Sequence, residues 1–94
     1  MTASEVLRRA GEARELLSLP DLPEGERERL REEVGRAQDL LERVGSPLAR
    51  HVVSRHYLDG LTWDAAAREV GRSKAWVYRM RATAMEEMGE VDDG

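Results

Sequence analysis

"LTWDAAAREVGRSKAWVYRMR", residues 61–81, is the stretch whose reading decides the fold. Thr62 is a residue type that starts helices, because its hydroxyl accepts an orphan N–H of the first turn. Asp64 puts a negative charge in that turn, where the helix dipole favours it. Ala66, Ala67 and Val70 make a small apolar face. Gly71 follows at the helix end, where a left-handed backbone angle is usual and glycine takes it without strain. Ser73 caps a second helix. Within that helix Val77, Met80, Ala84 and Met88 recur at i, i+3, i+7 and i+11, one inner face. Small residues where two helices cross, an apolar residue before a glycine turn and apolar anchors after it fit a helix-turn-helix.

The outer face of the second helix carries the candidate chemistry. At about 100° per residue, Ala75, Tyr78, Arg79 and Ala82 point away from the inner face, with Lys74 and Trp76 on its flanks. Two small residues let the helix approach a groove floor. Two long ones can touch base edges, and arginine on the O6/N7 edge of guanine is the commonest specific contact. Arg72 and Lys74, with the Ser73 cap between them, stand at the positive end of the helix, where phosphates bind. The expected DNA-binding set is therefore Arg72, Ser73, Lys74, Ala75, Trp76, Tyr78, Arg79 and Ala82. Each has a plainer reading beside it. Arg79 can be a solvated surface arginine, Tyr78 and Trp76 can cover core, and the whole motif can be a helical bundle or a protein-docking surface. Trp63, beside Leu61 at the start of the first motif helix, is expected in the core. Arg72 breaks the pattern, since an apolar residue usually tucks in after the turn glycine; its stem can lie on the core with the guanidinium outside.

Charge is unevenly spread. The net charge of −4 averages three unlike parts. Residues 1–45 hold eleven acidic and eight basic residues, net −3; residues 46–85 hold seven basic and three acidic, net +4; residues 86–94 hold five acidic and no basic, net −5. A local basic patch attracts phosphates whatever the total. Here it coincides with the two-helix motif.

Upstream of the motif the chain reads as a helical hairpin. Val6, Ala10, Ala13 and Leu17 share one face of a helix over about 2–19, widened by Leu7 and Leu16. "LPDLPEG", residues 19–25, breaks it. Leu30, Val34, Ala37, Leu41 and Val44 step by 4, 3, 4, 3 along a helix over about 23–44, a heptad seam that either meets the first helix or joins two chains. Gly35 lies mid-helix and permits a close contact or serves none. Ser46 and Pro47 open a third helix, carrying Leu48, Val52, Val53, Tyr57 and Leu58, which Asp59 and Gly60 end. The expected fold is all-α: a hairpin over 1–45, a three-helix unit over 46–88 and an acidic flexible tail over 89–94.

"RHYLDGLTWDAAAREVGRSKAWVYRMRATAMEEM", from Arg55 to Met88, resembles the C-terminal helix-turn-helix of region four of bacterial sigma factors. It is more similar still to phage-encoded ArpU/RinA-like transcriptional regulators. Those chains carry a phrase close to Arg55-His56-Tyr57, Asp59-Gly60 and Thr62-Trp63, then a small-residue helix, a turn like Gly71-Arg72-Ser73 and a helix ending in an Ala-Leu pair. Ala84-Met85 stands at that pair here, and Ala66 replaces a larger aliphatic residue. The resemblance covers about residues 52–88; the hairpin shares only helical character. It implies sequence-directed binding to double-stranded DNA, with contact to RNA polymerase as a further expectation.

Other chemistry is poorly represented. There is no cysteine, so no disulfide and no thiolate metal site. His51 and His56 lie about 140° apart on a helix and do not converge on a metal, so neither a metal nor another cofactor is expected. No nucleophile–base pair and no phosphate-cradling glycine loop is visible, and an enzyme is not expected. No apolar run reaches the ~20 residues that cross a bilayer, and no signal peptide is visible, so an intracellular protein is expected; the resemblance to phage regulators implies the cytoplasm of a bacterial host. Two other classes stay open: a module docking on RNA polymerase, and the small DNA-recognition subunit of a phage terminase. A homo-oligomer is expected, a dimer before a ring, with the heptad seam as its interface or closed within the chain.

Overall fold

The computed structural model of the chain describes residues 1–89. They form five helices, α1 (Ala3–Leu17), α2 (Glu24–Leu41), α3 (Pro47–Tyr57), α4 (Trp63–Glu69) and α5 (Lys74–Met88), and no strand among the described residues. The acidic tail expected over 89–94 lies outside the described residues from position 90 onward.

Each helix starts where its side chains can cap it. Thr2, Ser46, Thr62 and Ser73 accept from the backbone N–H groups of Glu5, Ala49, Ala65 and Trp76, at 3.1–3.3 Å. Only α2 lacks such a cap; Pro23 precedes it, and Glu24 and Glu26 place charge in its first turn instead. The end of α1 has no glycine. Arg27 reaches back from α2 and donates to the carbonyls of Leu17 and Leu19, at 3.2 and 3.1 Å, so the hairpin's own second helix satisfies groups the first leaves open.

The main apolar cluster joins Ala3, Val6, Leu7 and Ala10 of α1, Ala37, Leu40 and Leu41 of α2, Val44 of the turn that follows, Ala49 and Val53 of α3, and Ala84 and Met88 of α5. The heptad seam is thus closed within the chain, against α1. Two of its details are corrected. Val34 is only half-buried, and Leu40 is buried in the cluster that also holds residues of α1, α3 and α5. Helix α2 stops at Leu41 rather than Val44, and the chain turns through 42–45 so that Val44 drops into the core. Leu16, expected to widen the α1 stripe, is 45% exposed.

A second, smaller cluster is the core of the helix-turn-helix: Val52, Ala66, Ala67 and Val77, edged by Trp63, Val70 and Trp76. Four buried residues enclose little apolar area, at about 25 cal/mol per Å². The unit therefore leans on the hairpin. Helix α3 sends Val52 to the small cluster and Val53 to the large one; α5 sends Val77 to the small one and Ala84 and Met88 to the large. The far end of α5 is also held by polar contacts: Arg43 Nη1 donates to the Met88 carbonyl at 2.8 Å, and the Gly45 N–H donates to Glu87 Oε2 at 3.0 Å.

Two helical glycines have opposite roles. A Cβ on Gly11 would overlap the carbonyl oxygen of Tyr57, so α1 and α3 approach through a missing side chain. A Cβ on Gly35 would meet nothing within 4 Å, so the close contact its position permitted is not made there. Gly35→Ala is expected to stabilise the fold by about 0.5–1 kcal/mol, and Gly11→Ala to destabilise it. Urea unfolding of the two variants should give shifts of opposite sign; shifts of the same sign would contradict the α1–α3 contact.

Candidate nucleic-acid interface

Helix α4 is fixed to α3 by ions. Glu69, its last residue, takes Arg55 Nε and Nη2 at 2.9 Å each and His51 Nε2 at 2.6 Å. Arg55 Nη1 also reaches Asp59 at 3.0 Å, and Asp59 takes Arg14 of α1 at 2.6 Å. The Arg55 and His51 hydrogen bonds hold the Glu69 carboxyl down to about 2, and Glu69 and Asp59 raise Arg55 further above its already high value. Sequence reading counted Arg55 in the basic patch; the fold removes it by neutralisation. The i,i+4 spacing points to Asp59 alone; the Glu69 pair left no such sign, because Glu69 lies 14 residues from Arg55.

The α3–α4 junction is an aromatic block. His56 and Trp63 stack with ring centroids 3.7 Å apart, and Tyr57 stands edge-on to both, at 4.8 and 5.8 Å. Trp63 is half-buried against the small core, partly as expected, with Arg81 over its ring at 5.4 Å. His56 Nδ1 donates to the Leu61 carbonyl at 2.7 Å. Burial lowers its pKa from the usual 6.5, against the pull of that hydrogen bond.

Both shifts give the same sign of pH dependence. Between the folded and unfolded pKa values of each group, the unfolded chain binds more protons. The contribution of His56 is complete above about pH 6.5 and is lost as pH falls below it; that of Glu69 is complete above 4.5 and lost towards about 2. Stability is expected to decline on acidification from pH 7 to 5, and His56→Gln should flatten that part of the curve. Urea midpoints across this range test it; parallel curves for the two proteins would remove His56 as the cause.

Gly71 takes φ +66°, the left-handed turn its position called for, and α5 then runs out with its outer face open. Ala75, Tyr78, Arg79 and Ala82 are all exposed, Tyr78 at 44%. Neither α1 nor α2 covers them. Trp76 is half-buried on the small core, at the edge of that face. Arg72 extends over the Trp76 ring at 5.4 Å, so its exposed guanidinium is carried by an aromatic neighbour. Lys74 is shared: its Nζ lies 3.3 Å from Asp64 and 5.9 Å from the Tyr78 ring centroid. Asp64 reaches Lys74 across the turn, where α4 and α5 meet, and not Arg68 one turn on in its own helix. Both members of that pair are more than half exposed, so it is weak and a phosphate can displace Asp64.

Of the seven basic residues in 46–85, Arg55 and Lys74 pair with carboxylates and Arg50 Nη2 donates to the Val44 carbonyl at 2.8 Å. The other four, Arg68, Arg72, Arg79 and Arg81, have no carboxylate partner among the described residues. Arg68 and Arg81 lay outside the set expected from sequence; no motif position marked them. Residues 46–91 match the homeodomain-like domain family. The C-terminal part of the chain is a helix-turn-helix DNA-binding domain. The match covers just under half of the chain and leaves α1 and α2 outside it. No curated protein and no solved structure matches the chain significantly. Among the described residues, no helix is long and apolar enough to cross a membrane, and no three His, Cys, Asp or Glu residues are grouped to hold a metal ion.

Within this helix-turn-helix domain, α4 and α5 are the paired helices and α3 is their support. The small Ala66 and Ala67 let the pair close over Val77, and that closure turns Tyr78 and Arg79 outward.

Proposed function

We propose that this chain regulates transcription by reading a DNA sequence in the major groove with α5. One observation carries the reading: the face of Ala75, Tyr78, Arg79 and Ala82 is open, while Val77, Ala84 and Met88 on the inner face of α5 are buried in two apolar clusters. Ala75 and Ala82 let the helix come close; Arg79 and Tyr78 contact bases or the adjoining sugar edge. Arg72, Lys74 and the Ser73 end of the helix meet phosphates and set the register. The phrase shared with ArpU/RinA-like regulators supports a phage or phage-derived element acting in the bacterial cytoplasm, as a binding protein rather than an enzyme. Since α1 already covers the α2 seam, a dimer on a palindromic site uses another surface.

Selection of bound sequences from a random duplex pool, with solution mass measured in parallel, tests this. The expected result is a short enriched motif and affinity that falls steeply with salt, about −0.9 in log–log slope per phosphate neutralised. Enrichment of nothing, with salt-insensitive binding to RNA polymerase instead, would overturn it in favour of protein docking. A ring-sized mass would favour the terminase-subunit class.

A further inference from the structure

A second cationic element lies beside the recognition face and is divided between the hairpin and the helix-turn-helix. Arg81 leans over Trp63, at the start of α4, and so points toward the α3–α4 junction rather than along the face of Tyr78 and Arg79. The hairpin reaches the same junction from the other side. Gly11 lets α1 settle on the Tyr57 carbonyl, and Arg8, one helical turn earlier, lines the open groove of about 500 Å³ that α1 forms with Tyr57, Leu58 and Gly60. Of the other charges lining it, Arg14 pairs with Asp59, which also takes Arg55, while Glu12 and Glu15 pair with no cation among the described residues. Arg8 and Arg81 are exposed and have no carboxylate partner among the described residues, although Glu5 and Glu12 lie within one turn of Arg8.

We propose that Arg8 and Arg81 form a phosphate-binding pair that carries the DNA footprint off the recognition helix and onto the hairpin. The inference rests on the reading of this chain as a DNA binder. Arg81 lies over Trp63, which stacks on His56, and Tyr57, edge-on to both rings, lines the groove that Arg8 borders. Burial lowers the His56 pKa against the Leu61 hydrogen bond, and Arg81 and Arg8 act in the same direction as burial. Neither arginine is directed at the groove floor, so each contributes register and affinity without sequence preference. The hairpin, whose net charge is negative, thereby gains one cationic point where α1 meets the DNA-binding unit.

The test is the salt dependence of duplex binding by the full chain. Arg8→Gln and Arg81→Gln are each expected to reduce the magnitude of the log–log slope by about 0.9, with the same fold loss on an enriched site and on unrelated duplex. Arg36→Gln, which removes an exposed α2 arginine without an ion pair among the described residues, serves as control and should leave the slope unchanged. Arg8→Lys and Arg81→Lys should keep the wild-type slope, which a merely structural role would not predict. Wild-type slopes in both Gln variants, or a loss no larger than in Arg36→Gln, would overturn the pair while leaving the DNA reading intact. Absence of duplex binding by the unaltered chain would remove both.

Discussion

Truncation of Met88 to alanine is expected to lower the unfolding free energy by about 2–5 kcal/mol. Met88 is fully enclosed at the last turn of α5, in the cluster that includes Leu7, Leu41, Val44 and Ala84. Its side chain is the largest apolar group that α5 places in that cluster with no exposure; Met80 and Met85 are only half-buried. Removing it leaves a cavity whose walls are helices from both the hairpin and the helix-turn-helix, which cannot collapse together without moving α5. A domain of this size has a total stability of about 5–15 kcal/mol, so the loss is a large share. Met85→Ala, at a half-buried position, should cost much less. Urea denaturation of both variants measures the difference. A Met88→Ala effect below about 1 kcal/mol would mean that α5 does not depend on the hairpin for its position.

That dependence was only half legible in the sequence. The repeat of Val77, Met80, Ala84 and Met88 gave one inner face, but a one-dimensional repeat does not say that its two ends face different partners. Val77 meets Ala66 and Ala67, eleven and ten residues earlier across the turn, whereas Met88 meets helices that begin more than forty residues earlier. Local signals did better. Thr62, Ser73, Ser46 and Gly71 each act within three or four residues of themselves, so their residue types sufficed to place the helix starts and the turn. The end of α2 was misplaced because Val44 keeps the heptad spacing after the helix has stopped: a turn can deliver an apolar side chain to the core as well as a helix can.

The same division holds for the candidate site. The open face of α5 follows from helical geometry alone and was readable. Which cations remain available on it was not, because pairing is decided by tertiary approach. Asp59, one turn on, marks Arg55 in the sequence, but the Glu69 that completes its neutralisation and the Trp63 ring beneath Arg81 come from other helices. Gly11 carried no visible message either; its role appears only when the Tyr57 carbonyl arrives beside it.

Replacing Arg79 with alanine is expected to weaken binding to the selected site by about 1–3 kcal/mol, roughly ten- to a hundred-fold, and to relax preference at one base pair. Arg79 is exposed, its guanidinium has no ion-pair or hydrogen-bond partner among the described residues, and it flanks the Ala75–Ala82 floor of the outer face on the side opposite Tyr78. A guanidinium so placed has no internal interaction to give up on binding, so its full contact energy is available to the DNA. Its bidentate geometry matches the O6/N7 edge of guanine, and an alanine leaves that edge without a partner. Arg68→Ala is the matched comparison. That residue is also exposed and without a carboxylate partner, but it stands on α4, away from the outer face of α5. Its loss should weaken all sequences alike, as a phosphate contact does. Competition binding of each variant against a panel of single-base substitutions separates the two outcomes. If Arg79→Ala also weakens every sequence by the same factor, Arg79 is a backbone contact and base reading must pass to Tyr78 and its neighbours on the face.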